Sequence, residues 1–203
     1  ILRRIGPAPR RVVDFACGNA AITRAFARAL PDADVVGLDF FDEAPPEIAP
    51  ARYASFAAHD GAPAADLLLC FHALEHDDDP RAFVARLAAL VRPGGTMVVE
   101  VPNMDCVWTP WFGAACHNWY LPYHRLHFTR SALRALMDGA GMEVVAEQDV
   151  CSATIAHSLA RALGRDYNLA FFAIGAAFRP LQWLAEKLTR RPSALRIIVR
   201  TPT

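Results

Sequence analysis

The sequence predicts an α/β domain whose strands run mostly parallel, and three observations carry that prediction. An apolar run from Arg11 to Phe15 ends in the small-residue turn Ala16-Cys17-Gly18-Asn19-Ala20, and a helical pattern follows it. A second apolar run, Asp34 to Asp39, comes after that helix and ends in an acid. Strand-like and helix-like segments then alternate along most of the 203 residues, as expected of parallel strands joined by helical crossovers.

Each element has its own signal. Leu2 to Ile5 reads as the tail of a helix ended by Gly6-Pro7. Ala20 to Leu30 places Ile22, Phe26, Ala29 and Leu30 at helical spacing and stops at Pro31-Asp32. Tyr53 to Ala58 reads as a third strand, and Asp66 to Phe71 is the continuous apolar run of a central buried strand. Asp79 as N-cap and Pro80 at the first helical position open a helix bearing Phe83, Leu87, Leu90 and Val91. Arg92-Pro93-Gly94-Gly95 is expected to end that helix before a fifth strand, Thr96 to Val101. A long aromatic loop occupies Asn103 to Phe128. Thr129 or Ser131 then starts a helix that ends at Gly139-Ala140-Gly141, with a strand from Met142 to Val150 beyond it. Ala153 to Leu163 and Pro180 to Thr189 read as two amphipathic helices, and Leu195 to Arg200 is the last strand.

Composition narrows the class. The formal net charge is +0, which gives no electrostatic footprint for a nucleic-acid partner. Five cysteines without a CxxC pair point to a reducing, cytoplasmic setting. The apolar run Leu169 to Phe178 is too short to span a bilayer and is expected to stop at Arg179-Pro180. The chain has no initiating Met and enters its first strand almost at once, so an N-terminal piece is expected to precede it.

The turn after the first strand and Asp39 one strand over form the arrangement in which backbone N–H groups and a helix N-terminus meet a cofactor while a carboxylate takes ribose hydroxyls. In order, the pieces resemble the class I S-adenosylmethionine-dependent methyltransferases, within the small-molecule branch that includes the ubiquinone-type O-methyltransferases. The resemblance rests on Asp14 to Ala20 at the glycine-rich turn, Asp39, Asp60, Asp66 to Phe71, Glu75-His76, and Pro93-Gly94-Gly95 with the strand and Pro102-Asn103 after it. It extends through His127-Phe128-Thr129 to Gly141. It implies a Rossmann-like, seven-stranded, mostly parallel sheet in a single domain over 1–203, with the last strand antiparallel and a helical insertion or cap at 153–191 before it.

The resemblance also implies S-adenosylmethionine as cofactor and methyl transfer to an oxygen or nitrogen of a small, hydrophobic acceptor. It places Asp14, Ala16, Cys17 and Gly18 in the cofactor turn, Asp39 at the ribose, Asp60 beside the adenine, and Cys70 and Phe71 at the end of the fourth strand. Phe40 either covers the adenine or packs locally. The turn departs from the family pattern, because Ala16 and Ala20 stand where glycines are usual. Ala16 is a mild change provided its φ stays negative, and the Ala20 methyl is expected to point at the cofactor's amino-acid end. Two other readings stay open: a nicotinamide-dependent oxidoreductase, which uses a similar strand, turn and ribose acid, and a non-catalytic binding module that kept the fold.

His72, His76 and His124 are the candidate catalytic residues, since imidazoles can exchange a proton near neutral pH. His117, Tyr120, Tyr123 and His127 share the aromatic loop, where His127 is expected to anchor the following helix. His72-Ala73-Leu74-Glu75-His76 also spells the inverted zincin pattern. That motif needs a long helix, whereas here it follows a buried strand and precedes three aspartates and a proline, so no metal is expected. The apolar insertion from Ala153 to Arg191 reads as a cap or homodimer contact, or as an acceptor pocket or a surface that touches lipid.

Overall fold

The apolar runs form strands β1 (Arg11–Phe15), β2 (Asp34–Asp39), β3 (Arg52–Ser55), β4 (Ala65–Phe71), β5 (Val91–Pro102), β6 (Glu143–Val150) and β7 (Ala194–Arg200) in a computed structural model that describes residues 1–56 and 65–203. They join in one seven-stranded sheet of order β3-β2-β1-β4-β5-β7-β6. The pairs β3–β2, β2–β1, β1–β4 and β4–β5 are parallel. β7 lies antiparallel to both β5 and β6, as expected of the last strand. Leu67, Leu68, Leu69 and Cys70 are fully buried, so β4 is covered on both faces.

Helices α1 (Ala21–Ala29), α2 (Pro80–Ala89) and α4 (Arg130–Gly139) cover the sheet. α1 packs Phe26 and Ala27 against Val12, Val35, Leu67 and Leu69 on one face. On the other, Phe83, Leu87, Leu133 and Met137 of α2 and α4 meet Leu68, Met97 and Val99. α2 starts where the sequence places it: the Asp79 carboxylate accepts the amides of Arg81 and Ala82, each at 3.0 Å, a cap worth about 1 kcal/mol.

The remaining helices, α3 (Thr109–Phe112), α5 (Thr154–Ala162) and α6 (Leu169–Thr189), gather at one end. α5 packs on α6 and on the helical turns of the 103–128 loop.

Three expectations need correction. Leu2–Arg4 is a short 3-10 turn rather than the tail of an α-helix. Pro93-Gly94-Gly95 does not separate α2 from a strand but lies inside β5, where Ala65 pairs with Val91 and the register then shifts before Leu67. Gly95 has to be glycine-sized, because a Cβ there would stand 2.5 Å from Val91 Cγ1. Arg179-Pro180 does not stop the apolar run, and α6 passes through Pro180 as one helix of 21 residues. A proline removes a single i→i−4 bond, and the Asn168 side chain secures the start by accepting from Ala170 and Phe171.

Candidate active site

Strand register sets out the site. Phe15 of β1 stands beside Leu38 of β2 and Cys70 of β4, and Phe71 stands beside Glu100 of β5. The residues just beyond these points, Ala16 to Gly18, Asp39-Phe40 and His72, therefore share one edge of the sheet. The chain leaves β1 toward β2 on one side and β4 lies on the other, which makes this the switch point where α/β sheets bind ligands.

The turn is held by carboxylates. Asp39 Oδ2 accepts the Gly18 amide and Oδ1 accepts the Phe40 amide, both at 2.7 Å. A carboxylate offers about four acceptor positions, so Asp39 keeps capacity for two hydroxyls. Asp14 is buried beneath the turn and accepts Thr23 Oγ1 at 2.5 Å. Burial raises its pKa to about 6, against the opposing Thr23 hydrogen bonds. Cys17 packs its sulfur under the turn, 2.9 Å from where a Cβ on Gly37 would lie. A Cβ on Gly18 would meet nothing within 4 Å, so the turn is open on that side.

Ala16 and Ala20 take φ of 56° and 58°. Ala16 thus adopts the left-handed geometry of a glycine rather than a negative φ, at a cost of about 1–2 kcal/mol for each such alanine. Ala20 is fully buried, so its methyl packs into the protein instead of lining an open cleft. The backbone keeps the glycine path without the glycines.

Phe40 is 62% exposed, yet its ring packs on Phe15 and Phe56 with centroids 5.9 and 5.5 Å away. It therefore offers an open aromatic face beside the Asp39 carboxylate while packing locally. Cys70 is fully buried, and burial holds its thiol protonated well above the usual range. It can serve a ligand only through its backbone. Phe71 turns to the α1 side of the sheet, with the Arg196 guanidinium 5.4 Å from its ring centroid. Asp60 lies outside the described residues.

The three candidate histidines converge on one carboxylate. Glu75, 1% exposed, has neither oxygen in a hydrogen bond among the described residues. His72 Nδ1 is 3.4 Å from Glu75 Oε1, and His124 Nε2 is 3.8 Å from the same oxygen. His76 and His124 stack edge to face with centroids 4.9 Å apart. Glu75, His76 and His124 also offer one ligand atom each within 4.8 Å of one another, a set that can hold a metal ion. Leu74–His76 is a 3-10 turn, so His72 and His76 do not form the paired ligands of a zincin helix.

The histidines differ in what they can do. His72 has φ of 54°, the left-handed region that is uncommon for residues other than glycine. It is fastened twice to Glu100: its amide donates to the Glu100 carbonyl at 2.9 Å, and its Nε2 reaches Glu100 Oε1 at 3.1 Å. Burial pulls its pKa down, but the Glu100 hydrogen bond and the negative charges of Glu75 and Glu100 raise it to about 9. His72 is therefore an imidazolium at neutral pH. His124 Nδ1 donates to the Asn118 carbonyl at 3.0 Å, and burial keeps its pKa below the ordinary value. His76 is exposed, and its Nδ1 donates to the Tyr123 carbonyl at 2.9 Å, which leaves Nε2 as the accepting nitrogen of its neutral form.

The aromatic loop is closed at its neck and tied to the site. Asn103 bridges to Phe128, and Met104 donates to the Phe128 carbonyl at 2.9 Å. The Glu75 carbonyl accepts the amides of Arg125 and Leu126 at 2.8 and 3.0 Å, which fixes the loop against the end of β4. His127 Nε2 donates to the Trp119 carbonyl at 3.2 Å, so it braces the loop.

Residues 1–147 match the family model described as "Methyltransferase domain". The chain belongs to the methyltransferase-domain family. It is 32% identical over 108 residues to a ubiquinone biosynthesis O-methyltransferase from Methylococcus capsulatus, an alignment covering 47% of this chain and 45% of that protein. It is 36% identical over 103 residues to a trans-aconitate 2-methyltransferase from Methylobacterium radiotolerans, covering 47% and 39%. The matched stretch thus spans less than half the length of either relative. The fold of this methyltransferase-domain chain is also that of a Burkholderia thailandensis 1,6-didemethyltoxoflavin-N1-methyltransferase solved with S-adenosylhomocysteine, with a TM-score of 0.59 and 21% identity over 96% of this chain and 72% of that one. Membership sets aside the nicotinamide-dependent reading.

Two residues at this methyltransferase-type site escaped the sequence reading. Glu100 sits in the apolar stretch Met97-Val98-Val99-Glu100-Val101, and a lone acid in a buried strand is a signal in hindsight. It is held by Arg196 Nε at 2.7 Å as well as by His72. Asn118, which links the loop to the carbonyls of Asn103 and Ser193, carries no local signal at all.

Proposed function

We propose that this chain binds S-adenosylmethionine at the Asp14–Gly18 turn and Asp39, and transfers its methyl group to a small-molecule oxygen or nitrogen, with an acidic oxygen favoured. The residues present suit the cofactor. Asp39 has spare acceptor capacity for ribose hydroxyls, Gly18 leaves its side of the turn open, and Phe40 offers an aromatic face to an adenine. The left-handed φ of Ala16 and Ala20 preserves the turn's path, which favours an active enzyme over a degenerate binding module.

The observation that carries the reading is the gathering of His72, His76 and His124 around buried Glu75, on the same sheet edge as the Asp39-braced turn. S-adenosylmethionine, when bound, supplies an already activated methyl, so the chain's work is orientation and proton handling. His72, held as a cation, steadies an acceptor oxygen that carries negative charge. His76 Nε2 takes the proton when the acceptor arrives as a neutral hydroxyl. The relatives named for ubiquinone biosynthesis and for trans-aconitate guide the choice of acceptors to phenols and carboxylic acids.

The test is calorimetric titration with S-adenosylhomocysteine, followed by mass-spectrometric screening of phenols and carboxylic acids as methyl acceptors. Binding in the micromolar range that Asp39→Ala abolishes supports the cofactor site. A methylated product whose formation collapses in His76→Ala supports the acceptor side. No binding by the wild-type protein overturns the reading and leaves the non-catalytic module in its place.

A further inference from the structure

α6 is built inside out. The side chains it turns toward the protein include Gln182 and Glu186, both almost fully buried. Glu186 accepts from Trp108 Nε1 at 2.9 Å and from the Ser193 amide at 3.0 Å, so the polar face is satisfied within the fold. The face turned outward carries Leu169, Phe172, Leu181, Trp183, Leu184 and Leu188, with Leu188 76% exposed. An ordinary surface helix does the reverse, with its apolar stripe on the core. So large an uncovered apolar surface marks a contact site.

Charge identifies what fits it. Residues 153–191 carry Arg161, Arg165, Arg179, Lys187, Arg190 and Arg191 against only Asp166 and the buried Glu186, a net charge of +4 in a chain whose total is +0. Ten arginines elsewhere lie within 4.0 Å of a carboxylate. None of these six cations has such a partner among the described residues. Some reach carbonyls instead, as Arg179 does to Cys151 and Arg191 to Asp105. Lys187 lies over the Trp183 ring, 4.6 Å from its centroid.

We propose that α6 lies flat on an anionic lipid bilayer, its apolar face in the acyl boundary and its basic rim at the headgroups. An apolar face with a basic border and aromatic residues is the composition of interfacial helices, and each Lys or Arg near an anionic surface adds about 1 kcal/mol. No helix among the described residues is long and apolar enough to cross a membrane, so the helix rests on the surface rather than spanning it. A second copy of the chain is the weaker partner. A two-fold contact through α6 sets the same unpaired cations against each other.

Flotation of the purified protein with phosphatidylcholine vesicles, and with vesicles that also contain phosphatidylglycerol, tests the proposal without reference to methyl transfer. The wild-type protein is expected to float with the anionic vesicles and not the neutral ones, and to release at high salt. Leu184→Glu and the pair Lys187→Glu with Arg190→Glu each change exposed positions, and each is expected to weaken binding about tenfold or more, with thermal melts confirming the fold. No flotation with anionic vesicles overturns the proposal. So does flotation indifferent to both variants, or a dimer in light scattering that Leu184→Glu dissociates. S-adenosylhomocysteine affinity, measured on the same variants, is expected to stay unchanged.

Discussion

The Gly18 amide donates to Asp39 Oδ2 at 2.7 Å, so the turn after β1 is braced from the strand beside it. The other carboxylate oxygen holds the Phe40 amide. Asp39→Ala therefore removes two charge-assisted bonds at once, with an expected loss of about 2–3 kcal/mol in stability and at least tenfold in S-adenosylhomocysteine affinity. Asp39→Asn has one accepting oxygen for two amides and falls between. Chemical denaturation and calorimetry on the three proteins check the order.

Ala16 and Ala20 are expected to respond differently to glycine. Relief of the left-handed strain favours glycine by about 1–2 kcal/mol at either position, and the greater freedom of the unfolded chain returns about 0.4–1 kcal/mol. Ala16 is only partly buried, so Ala16→Gly stabilises by up to about 1.6 kcal/mol. Ala20 is fully buried, and losing its methyl costs about 0.8 kcal/mol more. Ala20→Gly should then be close to neutral. Thermal melts that rank the two the other way contradict the backbone described here.

His72 gives a pH signature. Its pKa rises from 6.5 in the unfolded chain to about 9 when folded, so its contribution to stability is complete below 6.5 and fades as pH climbs through 9. His72→Gln lacks that contribution. The stability gap between wild type and His72→Gln should narrow across this window, and an imidazole resonance should titrate near its upper end. A gap that stays constant contradicts the Glu75–His72–Glu100 arrangement.

Glu186 joins three parts of the chain. Its carboxylate takes Trp108 Nε1 from the loop, Gln182 Nε2 from α6, and the Ser193 amide and hydroxyl at the start of β7. Glu186→Ala strands these buried donors and is expected to cost about 3 kcal/mol, or roughly 6–12 °C in Tm for a chain of this size. Glu186→Gln, which still accepts at one oxygen, should lose less.

The sequence was most readable where the signal is local. The strand ending at Phe15, the acid at Asp39 and the Asp79-Pro80 cap each depend on neighbours in the chain, and each lies where the pattern puts it. Reading failed where distant partners decide. Pro180 looks like a terminator until the helix around it is seen to be held by Asn168 at one end and by the Glu186 network at the other. Pro93-Gly94-Gly95 looks like a turn until β4 pairs on both sides of it. The three histidines were visible as chemistry, but their division of labour was not. It follows from Glu75, Glu100, Asn118 and Tyr123, which reach them from three different segments.

The bridge between Asn103 and Phe128 makes the aromatic loop a ring with a fixed neck. Trp111 and Tyr123 stand on its rim and are largely exposed. Side chains on such a rim can be exchanged while the neck, and the carbonyl grip of Glu75 on Arg125 and Leu126, stay as they are. Lineages carrying this scaffold are thus free to vary the rim while the neck and the contacts of Glu75 hold the loop in place.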